Sequence, residues 1–227
     1  MNELLLIIPA YNEEGSIKTV VDNVIKNYPQ FDYVVINDGS KDNTQKICLN
    51  EGYNYINHPV NLGLSGAFQT GMKYAYEKGY PYAMQIDADG QHDPAFIEDM
   101  LKTAKEGYDI VIGSRFVTEK KQHSLRMLGN SLISFAIKMT TRFKITDPTS
   151  GMRLYGREVI KDFALDMNYG PEPDTISLFL KKGMRVKEIQ VHMEERMAGE
   201  SYLSFSKSIF YMVRMLISIL IIQPARR

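Results

Sequence analysis

From Leu4 to Ile112 short apolar runs alternate with longer amphipathic stretches, and this rhythm limits the fold more than any other feature of the 227-residue chain. The apolar runs predict strands from Leu4 to Ile8, Tyr33 to Asn37, Tyr53 to Asn57, Ala83 to Ile86 and Ile110 to Ile112. Helical spacing places helices near 16–27, 42–50, 64–78 and 93–106. Strand and helix in turn, joined by short connections, build a mainly parallel sheet flanked by helices, an α/β fold. Ligands in such sheets lie beyond the carboxyl ends of the strands.

Polar clusters follow those ends. Tyr11-Asn12-Glu13-Glu14 comes after the first strand, Asp38-Gly39-Ser40 after the second, Asn61 to Gly66 after the third, and Asp87 to Asp93 after the fourth. One sheet edge gathers them into one site. Each also has a local structural use. The acids at 13 and 14 suit the N-terminus of a helix opening near Ser16, and Asp38 to Thr44 reads as a turn and a cap. In the last cluster Asp87 and Asp89 stand two apart at the end of an apolar run, so both point to one side of an extended backbone. Such a pair holds a divalent cation, Mg²⁺ or Mn²⁺, against phosphate oxygens, because these hard ions take carboxylate oxygen and keep positions for substrate. Turn chemistry or a helix cap is the alternative use of the same two residues.

Lys+Arg and Asp+Glu both total 27, so no global basic field marks a nucleic-acid binder and any electrostatic site is local. The lone Cys48 excludes an internal disulfide framework and a multi-cysteine metal centre, and reads as a buried thiol without a role in a reducing compartment. Gly63-Leu64-Ser65-Gly66-Ala67 has neither the spacing of a dinucleotide loop nor a Walker lysine, which disfavours NAD and P-loop chemistry. Leu4 to Ile8 is too short for a signal-peptide core and follows Glu3 instead of a basic region. The expected location is therefore cytoplasmic, peripheral on that face of the membrane.

In this order the segments Ile-Pro-Ala-Tyr-Asn-Glu-Glu, Asn-Asp-Gly-Ser-Lys-Asp-Asn-Thr, Asn-Leu-Gly-Leu-Ser-Gly-Ala, Asp-Ala-Asp-Gly-Gln-His-Asp-Pro and Gly-Ser-Arg-Phe, within residues 7–116, resemble the family 2 glycosyltransferases. The resemblance implies their GT-A, Rossmann-like fold. Gln91-His92 and Gly113-Ser114-Arg115 are similar to the dolichyl-phosphate mannose synthases and related polyprenyl-phosphate glycosyltransferases. Asp147-Pro148-Thr149-Ser150-Gly151-Met152-Arg153 and Arg196-Met197-Ala198-Gly199-Glu200-Ser201 extend the likeness to about residue 202.

The resemblance implies a nucleotide-diphosphate sugar donor, UDP- or GDP-linked, and inversion at the anomeric carbon. Pro9, Tyr11, Glu13 and Asp38 would embrace base and ribose. Asp87, Asp89 and Gln91 would hold the metal and the diphosphate, with Ala88 and Ser201 among the substrate contacts. Arg115, Arg126 and Arg196 are candidates to grip phosphate, since guanidinium binds it bidentately. Where relatives often carry a lysine after the Gly-x-Ser element this chain has Tyr202, with Lys207 as a substitute. A cation at Asp89 would stabilise the departing nucleoside diphosphate more in the transition state than in the ground state.

The acceptor decides whether a base is needed: a sugar hydroxyl must lose a proton, whereas a lipid phosphate is already an anion. Asp174, in Tyr169-Gly170-Pro171-Glu172-Pro173-Asp174, stands where family members carry such a base, and equally well opens a helix running to Lys182. Polyprenyl phosphate is the preferred acceptor. The rivals are transfer to a saccharide hydroxyl or glycolipid in cell-surface polysaccharide assembly, and a catalytically silent nucleotide-sugar-binding scaffold at a membrane. A nucleotidyltransferase would need a glycine-rich, basic N-terminal loop that is missing here.

Two apolar helices complete the pattern. Ser124 to Arg142 has Leu125, Leu128, Leu132, Phe135, Ala136 and Met139 on one face, whose default use is core packing. Residues 1–203 then form the GT-A domain and 204–227 an amphipathic C-terminal helix, with Lys207, Tyr211, Arg214 and Ser218 on a narrow polar stripe. Its apolar part, Ile209 to Ile222, is too short at about 1.5 Å per residue to cross a bilayer core of about 30 Å. It is expected in the membrane interface with Lys207 and Arg214 toward the headgroups, or against a homodimer or membrane-protein partner.

Overall fold

The computed structural model describes residues 2–90, 92–121, 124–166, 170–192 and 205–223, and only the backbone of Leu125, Arg126 and residues 205–208. The apolar run behind Glu3 extends as β1 (Leu4–Ala10), buried throughout except at Pro9, as a strand covered on both faces must be. β1 pairs in parallel with β2 (Asp32–Asn37) on one side and β4 (Tyr82–Gln85) on the other, and β3 (Tyr55–Asn57) pairs in parallel with β2. Helices α1 (Ile17–Asn27), α2 (Thr44–Asn50) and α3 (Gly63–Lys78) make the crossovers. α3 lies directly on β1: a Cβ on Gly71 would stand 2.3 Å from Ile7 Cγ2. The chain leaves β1 toward β2 and β3, then returns to continue at β4. That reversal opens a crevice at the carboxyl ends of β1 and β4.

Beyond β4 a 3-10 turn, Pro94–Phe96, leads into α4 (Ile97–Lys105), β5 (Ile110–Ser114) and α5 (Leu125–Thr141). There follow β6 (Arg153–Gly156), α6 (Arg157–Leu165), α7 (Pro173–Lys181), β7 (Val186–Gln190) and α8 (Phe205–Ile217), which runs on into a π-helical turn at Ser218–Ile222. β6 inserts antiparallel between β4 and β5, and β7 flanks β5 in parallel, so the sheet reads β3-β2-β1-β4-β6-β5-β7. Parallel pairing prevails, as the sequence rhythm implies.

The five expected strands are present with shifted ends. Tyr53 precedes β3, buried, with its hydroxyl donating to Asp22 Oδ1 at 2.6 Å. β6, α6 and β7 carry no apolar run that marks them. The boundary expected between 203 and 204 lies outside the described residues. One core layer stacks Phe68, Tyr155, Phe163 and Phe179 edge to face, with the Phe68 and Phe163 centroids 4.9 Å apart. Cys48 is buried, and desolvation lifts its thiol to about 11, consistent with an inert packing role.

Candidate active site

At the end of β4 the chain turns through Gly90, at φ 78°, and presents Asp87 and Asp89. Asp87 is held on three sides. Gln85 Nε2 donates to its Oδ1 at 2.9 Å, and its backbone N–H donates to His92 Nδ1 at 3.0 Å. That bond leaves the proton of a neutral His92 on Nε2, 3.4 Å from Asp87 Oδ2. The third side is Gly151, where a Cβ would stand 3.2 Å from Asp87 Oδ2 and 3.3 Å from His92 Cε1. Asp87 keeps a third of its side chain exposed, Asp89 is buried, and Ala88 between them packs with Ile8, Ala10 and Ile17. Gln91, the third expected ligand, lies outside the described residues.

Among the described residues no three His, Cys, Asp or Glu side chains converge on one point. Two carboxylates at a crevice suit a hard divalent cation that completes its shell with phosphate oxygens and water. One of the two is already oriented by an amide and an imidazole, as ligating carboxylates commonly are. The donor set therefore fits Mg²⁺ or Mn²⁺.

The loops after β1 and β2 interlock. Asn12, at φ 57°, accepts from the Lys41 N–H at 2.8 Å, and its own N–H donates to Ser40 Oγ at 3.0 Å. Glu13 N–H donates to Thr44 Oγ1 at 2.8 Å, and Glu14 Oε2 accepts from both nitrogens of Asn43. Glu13 Oε2 also accepts from Ser16 Oγ at 2.6 Å. The local structural use of these residues is thus real. Burial works to raise the Asp42 carboxyl, but bonds from Thr44 and the Glu14 N–H hold it below the usual range. This lacing leaves Pro9 half-buried and Tyr11 38% exposed at the rim, with Asp38 buried below. Gly39 has φ +66°, and a Cβ there would stand 2.6 Å from the Val60 carbonyl carbon, so the turn beside Asp38 accepts glycine alone.

Arg115 is placed differently from a free phosphate ligand. Its Nε and Nη2 donate to the two carboxylate oxygens of Asp147 at 2.7 and 2.9 Å, and Asn130 Nδ2 donates to Asp147 at 2.9 Å. Burial acts to raise the Asp147 carboxyl, yet the Arg115 bonds and charge hold it below the ordinary carboxylate range. Arg153, wholly buried, donates to the carbonyls of Ser150, Pro148 and Glu172. Arg115 and Arg153 thereby shape the 147–151 loop that seats Gly151 against Asp87. Sequence reasoning singled out this loop for its resemblance and assigned it no role.

Asp174 opens α7 and is buried, with Oδ2 accepting from Ser218 Oγ at 2.6 Å, while Gln223 Nε2 donates to the Asp174 carbonyl. Arg214 pairs with Glu172. Of the expected polar stripe, Arg214 and Ser218 thus meet residues at the start of α7, and Arg214 pairs with a protein carboxylate while staying more than half exposed. The structure also corrects the reading of α5. Ile133, Ala136 and Ile137 are buried, whereas Leu128, Leu132, Phe135 and Met139 face outward. α8 packs on α5 so closely that a Cβ on Gly129 would meet Met212 Sδ. Its outward side carries Ile209, Phe210, Val213, Ile217 and Leu220. Among the described residues no helix is long and apolar enough to cross a membrane. The Arg126 side chain, Lys207's side chain, Arg196 and Ser201 lie outside the described structure.

A model of glycosyl transferase family 2 matches residues 5–163. A UDP-N-acetylglucosamine–dolichyl-phosphate N-acetylglucosaminyltransferase of Methanococcus voltae is 30% identical over 94% of this chain and 95% of its own. An undecaprenyl-phosphate mannosyltransferase of Micrococcus luteus is 29% identical over 88% and 87%. Glucosyl-3-phosphoglycerate synthase of Mycobacterium tuberculosis, crystallised with Mn²⁺, UDP and phosphoglyceric acid, superposes with a TM-score of 0.70 at 18% identity, over 96% of this chain and 78% of that one. At that identity the likeness shows a shared GT-A fold.

Proposed function

The chain belongs to glycosyl transferase family 2, and on that premise we propose that it transfers a sugar, with inversion, from a nucleoside-diphosphate donor to a polyprenyl phosphate at a membrane surface. The observation that carries the lipid acceptor is the outward apolar side shared by α5 and α8. A saccharide acceptor gives no reason for two adjoining helices to turn Phe135 and Phe210 to water. Charge favours the same reading. Residues 120–146 contain Lys120, Lys121, Arg126, Lys138, Arg142 and Lys144 and no Asp or Glu, and 201–227 likewise carry only basic charge. An excess of basic charge in the two segments that supply the apolar face suits an anionic lipid surface.

In this reading Pro9, Tyr11, Glu13 and Asp38 receive base and ribose, and Asp87 and Asp89 would hold the cation, which supplies positive charge for the leaving diphosphate. Ala88 lines the same turn. A lipid phosphate oxygen forms its bond to the anomeric carbon as the bond to the donor's diphosphate oxygen breaks, and the nucleoside diphosphate leaves with that electron pair. No proton has to be removed. Ser218 engages one oxygen of Asp174, and the preferred acceptor asks for no base there. Arg115 acts by anchoring the 147–151 loop, and Arg126, Arg196, Ser201 and Gln91 remain proposed contacts. The test is a screen of UDP- and GDP-sugars against undecaprenyl and dolichyl phosphate in vesicles, read as lipid-linked sugar. Product on a saccharide alone would overturn the acceptor, and donor binding without turnover would favour the scaffold reading.

A further inference from the structure

This chemistry leaves one buried histidine without a role. β2 and β3 run parallel with Asn37 opposite Asn57, so the residues that follow, Asp38 and His58, emerge side by side at the carboxyl edge. The His58 N–H donates to the Asn37 carbonyl at 2.9 Å and continues the ladder. Both side chains are nearly sealed from water. His58 Nδ1 lies 2.8 Å from Asp38 Oδ1, and its Nε2 lies 2.9 Å from Thr70 Oγ1. A carboxylate only accepts, so Nδ1 carries the proton that meets Asp38, while on the far side of the ring Thr70 Oγ1 both meets Nε2 and donates to the Gly66 carbonyl at 3.0 Å. Leu62 N–H donates to the same Oδ1 at 2.9 Å. Asp38 is therefore held through one oxygen from two directions, and Oδ2 has no protein partner among the described residues.

A carboxylate with one oxygen pinned offers the other in a fixed direction. It accepts from a nucleobase whose ring nitrogen carries hydrogen, as N3 of uracil and N1 of guanine do. It repels the bare ring nitrogens of cytosine and adenine. A carboxylate free to rotate tells these apart less well, because the unfavourable lone-pair contact can be turned away. We propose that His58 is a positioning residue that fixes the plane of the Asp38 carboxylate and thereby sets the nucleobase selectivity of the donor site toward bases with a ring N–H. The inference rests on the reading that Asp38 meets the base.

Calorimetric binding of UDP against CDP, and of GDP against ADP, tests it in the full chain with Mn²⁺ present. Wild type prefers UDP or GDP within its pair. His58→Phe keeps a ring in the space but removes the donor, and it lowers that preference about tenfold, the worth of one oriented hydrogen bond. His58→Asn, whose amide can take the place of Nδ1, retains most of it. Loss of packing alone would weaken both members of a pair equally and leave the ratio unchanged, so a folded His58→Phe with wild-type preference overturns the proposal. If Asp38→Asn keeps the preference, Asp38 does not meet the base and the underlying reading fails. If Asp38→Asn loses it and His58→Phe does not, the role of His58 alone fails. Should His58→Phe not fold, a long-range ¹H–¹⁵N spectrum of wild type decides: a proton on Nδ1 supports the proposal, and a bare Nδ1 overturns it.

Discussion

Replacing Phe135 and Phe210 together by serine separates membrane docking from catalysis. Phe135 is 61% and Phe210 72% exposed, so neither supports the core and the double variant keeps the wild-type melting temperature. A phenylalanine side chain offers roughly 200 Å². More than half of that leaves water if the face enters lipid, a gain of about 3 kcal/mol for each ring at about 25 cal/mol per Å². Immersion in the interface is shallow, and half that figure, about 1.5 kcal/mol apiece, is the working value. The double variant then binds anionic vesicles about 3 kcal/mol more weakly, roughly a hundredfold in partition. Co-sedimentation with phosphatidylglycerol vesicles measures this, and transfer is followed to polyprenyl phosphate in vesicles and to a water-soluble short-chain phosphate. Binding and transfer in vesicles fall together, while the soluble acceptor is glycosylated at the wild-type rate. Unchanged vesicle binding refutes the docking argument. So does a wild-type dimer that the double variant converts to monomer, which would make the face a homodimer seam.

Asp89→Asn preserves shape and removes ligand charge, so turnover falls by orders of magnitude with thermal stability retained, and excess chelator does the same to wild type; full activity in either assay counts against the metal. Asp174→Asn retains most of the rate with lipid phosphate, whereas loss of a general base costs roughly a hundredfold, so a defect of that size in a folded, donor-binding variant would restore the hydroxyl acceptor. Asp147 is held below its ordinary range, and its unfolded value is about 3.9. Its stabilisation is therefore complete above that value and is lost as pH falls through the folded value. Asp147→Asn leaves Arg115 without its counter-charge and costs about 3–5 kcal/mol at neutral pH, with the gap in melting temperature to wild type closing below about pH 4.

The parallel half of the sheet was legible because strands covered on both faces are continuous apolar runs, as Leu4 to Ile8 and Tyr33 to Asn37 are. β6 was hidden because it opens on Arg153, a residue that pattern reading assigns to solvent and that here lies buried on three carbonyls. α5 misled for a different reason. It has two apolar sides, and periodicity finds a stripe without saying whether Leu128, Leu132 and Phe135 or Ile133, Ala136 and Ile137 turn inward. At the site, the positions of Asp38, Asp87 and Asp89 at strand ends were legible. What orients Asp38 was not, because His58 is 20 residues from it and meets it only through strand pairing. Gly151 reaches Asp87 only through the fold of its loop.

The inward polar side of α8 gives the outward apolar side a mechanical consequence. Arg214 on α8 pairs with Glu172, and the Glu172 carbonyl accepts from Arg153. Arg153 also binds Pro148 and Ser150, which sets the loop whose Gly151 bounds Asp87. Each link is short, and the central one is a buried guanidinium with fixed partners, so one continuous run of contacts joins α8 to the loop beside Asp87. A helix that met lipid with its polar side would have no such connection. Through the contacts of Arg214 with Glu172 and of Ser218 with Asp174, the surface that would rest on the bilayer adjoins the loop beside the carboxylate that would hold the cation.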